Sequence, residues 1–556
     1  MEVMEPVCAV CGTKAPHRCA SCQSISYCSA EHQKDHWKGH RKVCPHFRIV
    51  EDQILGKGFL ATRDIKPGTV ILEEEPVAVS PLESPMLSCL TCGLDNQRMM
   101  LFGRRCSRCK WPVCSLECEN HPMHAENECR IFASRRIIYS PVAMSFFEDH
   151  FMGVRVCLLK KNDPQLYQEV LELCPEYSLP NEGVTVPLEL DLMEILADVQ
   201  GLDLDSGEVA KLLRIFRINC LSGTRQDMST RSNPGSSRGI NVLYLKSSRM
   251  NHSCIPNCHW EVGPKPEFKI RIRTTCAVKK GELLTIFYWP EHITKPTEVR
   301  QEIIRENGNF RCKCARCTDP TELGTYRSGV VCKACRKKRT KGYFLPQDPL
   351  NFSPDARWEC CCCRKIKMAR DVLPAVEEIW RRIFCMEMLN ELVHIDWVNC
   401  YKYLVEETSG VILHPNHWII QKVLAIVRET FMCHPIAFLR LGLIEYAVTC
   451  MKHLLSIMDV LTPGITQRRA TAQVHLAIAL HLQCVELLSR RMYDHAEQNY
   501  EECLVLLNEA LKFCKDDFPT ADGVVQSVRS IEKIISQVLL DRSILQLKKL
   551  KVSGFK

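Results

Sequence analysis

The residues in this chain best placed to do chemistry are cysteines and histidines, and their spacing says which chemistry. Cys8, Cys11, Cys19, Cys22, Cys28, His32, His40 and Cys44 form four consecutive pairs with two or three residues between partners. A turn of that length sets two ligand atoms roughly 3.5 to 4 Å apart, one edge of a tetrahedron around a zinc ion with bonds of about 2.0 to 2.3 Å, so eight ligands mean two ions. A second octet follows: Cys89, Cys92, Cys106, Cys109, Cys114, Cys118, His124 and Cys129. Its last pair stays open, because His121 lies close by; either imidazole could close the site, with His124 favoured. Cys332, Cys335, Cys360 and Cys363 make two CxxC pairs separated by 24 residues, a zinc-ribbon pattern. Four thiolates leave no open coordination position, so this metal is structural, although Cys361 and Cys362 leave the exact ligand choice open. Beyond about residue 370, cysteines such as Cys385, Cys450 and Cys503 stand singly in apolar, helix-like sequence and read as small buried apolar groups.

Such cysteine usage suits a reducing compartment. The opening MEVMEPVCAV lacks a basic stretch followed by an apolar core, and no uninterrupted apolar run of about 18 residues suggests a bilayer span. Metal sites are therefore expected in place of a disulfide framework, in the cytoplasm or nucleus, with no membrane partner. The length of 556 residues implies two to four domains, and 46% hydrophobic with 25% charged residues is the balance of a folded chain. A formal net charge of +8, taken as spread over the whole chain, falls short of the basic stripe that phosphate neutralisation needs, so direct nucleic-acid binding is not expected.

A second set of residues needs elements to position it. In LGKGFLATRDIKPGTVILEEEP, strand-like runs around Phe59 to Ala61 and Thr69 to Leu72 flank a Lys66-Pro67-Gly68 turn and predict a β-hairpin. Gly56 and Gly58 would let backbone approach a ligand, yet a GxG alone is equally a tight turn. Further on, RMNHSCIPNC at 249–258 precedes the alternating strand KIRIRT at 269–274, a Lys279-Lys280-Gly281 turn and the strand ELLTIFY, which ends at Tyr288. From about 371, helical apolar spacing recurs in segments such as IIQKVLAIVRETF and AEQNYEECLVLLNEALKF, with breaks at His414-Pro415 and Pro463-Gly464; stacked helical hairpins follow.

Both octets resemble the MYND zinc finger, whose interleaved order implies one ion on Cys8, Cys11, Cys28 and His32 and another on Cys19, Cys22, His40 and Cys44. His32 stands where that family usually has cysteine. MYND fingers hold short proline-containing peptides, often through a glutamine and a tryptophan on the last helix; Gln33 and Trp37 match in the first finger, and the second has no such tryptophan. The strand-turn segment, NHSC, the terminal tyrosine and CKCARC at 312–317 closely resemble the SET domain of protein lysine methyltransferases. Together these motifs are similar to the SET and MYND (SMYD) family, with an additional N-terminal finger, a SmydA-like arrangement.

That resemblance implies an α+β multidomain protein: a β-rich SET fold with MYND fingers and post-SET zinc sites, then an all-α, TPR-like domain. The implied segments are a finger at 1–46, the start of SET at 47–80, a finger inserted at 81–130, the SET insert and core at 131–290, a post-SET zinc site at 291–320, a ribbon at 321–370 and the helical domain at 371–556. It implies S-adenosylmethionine held by Lys57, Gly58, Asn251 and His252, with Asn219 and Ser248 near further contact positions, Phe310 against the adenine, and Gly308 where a second aromatic is common. Tyr288 would line the pocket and orient the substrate amine, making it the catalytic residue. Cys254 would join Cys312, Cys314 and Cys317 around one zinc, for about six structural ions in all. The sequence departs from the family in KSSR at 246–249, where Lys246 and Arg249 replace apolar residues, in Leu245 for a usual proline, and in the polar loop TRQDMSTRSNPGSSRG at 224–239.

The implied activity is S-adenosylmethionine-dependent methylation of lysines in histone tails or other proteins, by a monomer. A second reading, motivated by KSSR and Gly308, is a weakly active or inactive adaptor that recruits partners in transcriptional repression. A third, a small-molecule methyltransferase on a doubly wound sheet, lacks the glycine-rich βαβ pattern it needs.

Overall fold

The computed structural model describes residues 7–19, 25–52, 56–81, 89–93, 104–140, 150–173, 188–197, 199, 201–225, 238–263, 267–389, 397–515 and 522–553. Cys22 and most of the 224–239 loop lie outside these residues. The chain divides into one unit of residues 1–289 with 304–310 and a second of residues 290–303 with 311–556.

The first unit opens on a short antiparallel pair, β1 (His17–Arg18) and β2 (Ser26–Tyr27), followed by α1 (Ala30–Val43). Ser29 starts that helix by accepting from the His32 amide at 3.2 Å, and Glu31 complements the positive end of the helix dipole. Next come β3 (Phe47–Asp52), β4 (Gly56–Ala61), β5 (Val70–Glu74) and β6 (Ala78–Pro81). The inserted finger contributes β7 (Arg104–Arg105), β8 (Pro112–Val113), α2 (Leu116–Asn120), α3 (Pro122–Ala125) and α4 (Glu128–Arg135). A helical insert, α5 (Phe151–Asn162), α6 (Pro164–Leu171), α7 (Leu188–Leu196) and α8 (Ser206–Asn219), precedes β9 (Leu221–Arg225) and β10 (Arg238–Leu243). The last strands are β11 (Asn251–His252), β12 (Cys258–Val262), β13 (Ile270–Thr274) and β14 (Leu283–Ile286).

These strands form three small sheets, ordered β6-β10-β9, β11-β14-β4-β3 and β12-β13-β5. The hairpin expected across Lys66-Pro67-Gly68 does not form: β4 pairs with β3 and β14, and β5 pairs with β13. The turn instead carries the chain from one sheet to the next, and Lys279-Lys280-Gly281 carries it back. Where the two crossings meet, Ile65 and Val278 exchange backbone bonds of 2.8 and 3.0 Å, and the Asp64 carboxylate accepts from the Lys280 amide at 2.9 Å. Gly68 and Gly281 take φ values of 78° and 86°, conformations that a side chain would strain. Alternation within a strand tells which face is buried but not which neighbour it pairs with, so sequence pattern alone suggested the nearer partner.

In the second unit, α9 (Thr297–Gly308), whose first residues belong here, and α10 (Ala315–Thr318) lead to a four-stranded antiparallel ribbon. Its strands, β15 (Val330–Val331), β16 (Tyr343–Pro346), β17 (Arg357–Cys360) and β18 (Ile366–Met368), lie in that order, with α11 (Lys333–Lys337) between the first two. The helices α12 (Ala369–Val372), α13 (Pro374–Leu389), α14 (Trp397–Thr408), α15 (Trp418–Cys433), α16 (Pro435–Arg440), α17 (Ile444–Leu461), α18 (Gln467–Ser489), α19 (Tyr493–Lys515) and α20 (Asp522–Ser553) complete it. Both expected breaks fall between helices, and α18 packs against α17 and α19, and α19 against α20, as successive hairpins do.

The 23-residue α18 is by length and composition apolar enough to cross a bilayer, but Gln473, His475 and His481 keep its uninterrupted apolar run well short of 18 residues, and Leu476, Ala477, Leu480 and Cys484 bury one side of it among its neighbours. One expectation, on the lone cysteines, needs correction. Cys450 and Cys503 are buried as expected, but Cys385 is exposed, on the outer face of α13 away from the buried Ile379 and Ile383.

Candidate active site and zinc centres

The cysteine pairs assemble as metal sites. Cys11 and Cys28 Sγ lie 3.5 Å apart, and His32 Nδ1 stands 3.1 Å from Cys28 Sγ and 3.6 Å from Cys8 Sγ. Cys92 and Cys118 each approach Cys114, at 3.5 and 3.4 Å, and Cys89 completes that group. Cys106 and Cys129 are 3.7 Å apart, as are Cys109 Sγ and His124 Nε2. In the ribbon, Cys332 and Cys363, and Cys335 and Cys360, are each separated by 3.7 Å. A disulfide would be about 2.05 Å, whereas the edge of a tetrahedron with bonds of about 2.3 Å is about 3.8 Å. In all four groups the ligand atoms lie within 4.8 Å of one another, a donor set that fits zinc.

The geometry also decides the open ligand choices. His124 joins the second finger, while His121 Nδ1 accepts from the Met123 amide at 3.2 Å as the cap of α3. Cys361 and Cys362 are exposed, and Cys361 Sγ accepts from the Tyr343 amide at 3.4 Å. Of the other set in the first finger, Cys19 Sγ and His40 Nε2 are 3.3 Å apart and Cys44 is buried in the same cluster. Cys254 is buried in the first unit, 3.4 Å from His252 Nε2. Cys312, Cys314 and Cys317 gather in the second unit with their sulfurs within 4.8 Å.

Residues the motifs did not flag support these ligands. His124 Nδ1 is 2.9 Å from Glu128 Oε1, and Arg155 donates to the same carboxylate at 2.9 and 2.6 Å; all three side chains are essentially shut off from solvent. This is the carboxylate–histidine–metal arrangement that fixes a ligand's tautomer. In the second unit, Gln301 accepts from the Cys312 amide at 3.2 Å and donates to its carbonyl at 2.8 Å, and Arg300 Nη2 reaches Cys317 Sγ at 3.5 Å. Arg300 and Arg316 share buried Glu322 at 2.8 and 3.0 Å.

The SET motifs converge at the short parallel pairing of β11 with β14, which sets Asn251 opposite Thr285 and His252 opposite Ile286. Asn251 Nδ2 donates to the Lys57 carbonyl at 3.4 Å. Gly58 packs so closely on Asn251 that a Cβ would stand 2.1 Å from its Oδ1. His252 Nδ1 accepts from the Tyr288 amide at 3.3 Å, so its proton resides on Nε2, facing Cys254. The Tyr288 hydroxyl donates to the Met250 carbonyl at 2.6 Å. Ser248 Oγ donates to the Asn219 carbonyl at 2.9 Å, while the Asn219 amide turns back to Ile215 O at 2.9 Å.

Around these groups stand rings. His252 lies 5.2 Å from Tyr288, 5.8 Å from Phe310 and 6.0 Å from Trp289, centroid to centroid. At Gly308 a Cβ would come within 2.7 Å of Phe310 and 3.0 Å of Trp289, so the space a second aromatic would need is already filled. Trp289, which the motifs did not single out, could have been noticed as an aromatic following Tyr288.

The KSSR departure is held by Glu74. Its carboxylate accepts from the Lys246 amide at 2.7 Å, the Ser247 amide at 2.8 Å and the Ser247 hydroxyl at 2.6 Å. The Lys246 side chain is exposed, and Arg249 is half-buried. Burial, with Glu74 and Glu75 nearby, pushes the Tyr244 hydroxyl well above its ordinary pKa and keeps it a neutral donor to the Phe268 carbonyl at 2.5 Å. Glu74 lies in the run Glu73 to Glu75, just past the strand-like Thr69 to Leu72, where nothing in the local sequence signals this role.

The fold and its clustered thiols define a zinc-rich SET-domain protein. Residues 8–44 match the MYND finger family and residues 56–289 the SET domain family. The chain is 26% identical to SET domain-containing protein SmydA-8, isoform B, of Drosophila melanogaster, over 59% of this chain and 69% of that protein. It is 27% identical to Histone-lysine N-methyltransferase SET5 of Candida glabrata, over 50% of this chain and 58% of that one, and 25% identical to Histone-lysine N-methyltransferase SMYD3 of Mus musculus, over 47% and 59%. The chain thus carries a MYND finger and a SET domain, and it is similar to SET and MYND domain proteins and to proteins named as histone-lysine methyltransferases.

Proposed function

We propose that this protein uses S-adenosylmethionine to methylate lysine side chains of proteins, histone tails among them. The observation that carries the reading is the convergence of Lys57, Gly58, Asn251, His252 and Tyr288 on one junction of strands, with Phe310 and Trp289 beside it. When bound, S-adenosylmethionine supplies an activated methyl group on its sulfonium, so no catalytic metal is required. The chain's own work is to bind and align. Main chain at Lys57 and Gly58 with the Asn251 amide would hold the cofactor's polar end, and Phe310 its adenine. The Tyr288 hydroxyl spends its proton on Met250 O and presents its lone pairs to an amine N–H, which orients the nucleophile. A free lysine has a pKa near 10.4, so a neutral amine at pH 7 costs about 4 to 5 kcal/mol, which a channel walled by rings lowers by desolvation.

The histone assignment rests on the names of the two histone-lysine relatives. Gln33 and Trp37, half-exposed and one turn apart on α1, are the residues with which the first finger would hold a proline-containing partner. A monomer working in the nucleus or cytoplasm fits this reading. The adaptor reading has no specific observation left in its favour, since Lys246 is exposed and rings occupy the space beside Gly308.

Calorimetry with S-adenosylmethionine on zinc-loaded protein tests the proposal. Asn251→Ala should weaken binding more than tenfold, whereas Tyr288→Phe should bind within about threefold of wild type yet transfer little methyl to a histone mixture. A wild type that binds no S-adenosylmethionine overturns it.

A further inference from the structure

The excess positive charge is not spread over the chain. Residues 332–367 hold ten lysines and arginines against three acidic residues, a formal +7 of the molecule's +8. The expectation drawn from an even spread therefore rested on a wrong premise, and counting charge in short windows would have exposed it. A zinc ion with four thiolates adds a local −2 and leaves about +5 there.

The ribbon concentrates this charge at its zinc end. The first CxxC opens KACRKKRTK, residues 333–341, and the second is followed by RKIK, residues 364–367. The 3.7 Å contacts of Cys332 with Cys363 and Cys335 with Cys360 bring both basic runs to one end of the sheet. Their side chains are exposed except Lys367, which lies half-buried with its ammonium 5.3 Å from the centre of the Phe344 ring. Arg364 pairs with Glu359, but among the described residues the cations from Lys333 to Lys341 have no carboxylate partner. Like charges crowded without counter-charge repel one another, and a polyanion relieves that repulsion.

The run is also folded. Lys333 to Lys337 form α11, and backbone bonds of Arg336 N to Cys332 O at 3.0 Å and Thr340 N to Cys335 O at 3.0 Å wrap it around the metal. It is a rigid cationic knob rather than an extended peptide for a groove. No apolar anchor interrupts residues 336–341, so the surface suits closely spaced phosphates better than a peptide needing side-chain pockets.

We infer that the zinc end of this ribbon binds the phosphate backbone of nucleic acid, without reading its sequence. Fluorescence anisotropy of labelled duplex DNA and single-stranded RNA of about 20 nucleotides, with full-length zinc-loaded protein, tests it. The dissociation constant should rise on the order of a hundredfold between 50 and 200 mM salt, as release of about four counterions requires. The triple variant Lys337→Glu, Lys338→Glu, Arg339→Glu should weaken binding more than tenfold at low salt and flatten the salt slope. The milder pair Lys337→Gln, Lys338→Gln should fall between it and wild type. Zinc content and melting temperature are measured on each variant, and one that loses zinc is set aside in favour of the glutamine pair. An equal charge change on α20, Arg529→Glu, Lys533→Glu, Lys548→Glu, should leave most of the binding. Salt-insensitive binding, or ribbon variants indistinguishable from wild type, overturns the inference. Displacement of the oligonucleotide by polyglutamate at equal charge overturns it in favour of an acidic protein partner.

Discussion

At Gly58 the backbone of one strand meets a side chain from another with no space to spare. A methyl group there would stand 2.1 Å from Asn251 Oδ1, so alanine must push the amide away from the Lys57 carbonyl. Gly58→Ala should cost about 1 to 3 kcal/mol in denaturant unfolding, as overpacking does. It should also lower S-adenosylmethionine affinity more than tenfold. Normal affinity in a folded Gly58→Ala protein would mean that Asn251 has no role at the cofactor. Asn251 was legible in the sequence because NHSC is a compact motif. Gly58 is placed beside the cofactor by the same resemblance, but its close packing on Asn251 was not legible, since that contact is far away in the chain. Glu74 shows the same limit: its task is to cap Lys246 and Ser247, and nothing local to β5 hints at it. Glu74→Gln should keep the fold but weaken these charge-assisted bonds, lowering the melting temperature by a few degrees. An unchanged melting curve would show the turn to be held by its backbone alone.

Elements were read more securely than their pairings. Strands at 269–274 and 282–288 and helical hairpins beyond 371 follow from residue period, a local property. Which strands become neighbours depends on the crossing at Ile65 and Val278, which joins distant segments. Helix starts have their own chemistry, and α15 offers a pH-dependent one. His417 caps it, Nδ1 accepting from the Ile419 amide at 3.2 Å. Burial first, with Arg327 and His414 adding to it, lowers its pKa from 6.5 to about 3. In the unfolded chain this histidine takes up a proton near pH 6.5, while the folded protein refuses it. Its contribution is therefore complete above pH 6.5 and is lost as pH falls toward 3, amounting to about 2 kcal/mol by pH 5. Burial likewise lowers His475 to about 4, so the helical unit should weaken further in acid. Replacing His417 with asparagine, a good cap without a titrating group, should leave stability at pH 7.5 within about 1 kcal/mol and remove one proton from the pH dependence of unfolding. Equal acid sensitivity in both proteins would exclude His417 as its source.

Across the larger architecture, metal and carboxylate work beside a shared core that runs from Trp111 and Phe132 of the inserted finger to Phe151 and Val79. The inserted finger is tied to the SET sheets by a chain of charge: His124 to Glu128 at 2.9 Å, Glu128 to Arg155 at 2.6 Å, and Arg155 to the carbonyls of Val79 and, at 3.0 Å, Leu90. Val79 lies in β6, paired with Val242 of β10, and β10 runs on to Tyr244, whose carbonyl lies against the Ser248 hydroxyl. Zinc in this finger and the candidate cofactor wall are thus linked through one strand pair. Glu128→Gln keeps the shape but leaves the buried Arg155 without its counter-charge, a loss of about 3 to 5 kcal/mol. The ligand His124 would keep only a neutral amide oxygen in place of the carboxylate that orients it, and weakening such a second partner typically costs up to 10- to 100-fold in metal affinity. The variant should therefore release one zinc ion to a chromophoric chelator well ahead of wild type, and weaken S-adenosylmethionine binding before any chelator is added. His121→Ala removes a neighbouring imidazole that caps α3 and stands outside the Cys106, Cys109, His124 and Cys129 set, so zinc release should match wild type. If Glu128→Gln holds zinc normally and still binds cofactor weakly, the carboxylate serves Arg155 and the sheet; if it loses zinc while cofactor affinity is unchanged, the finger and the cofactor wall are independent.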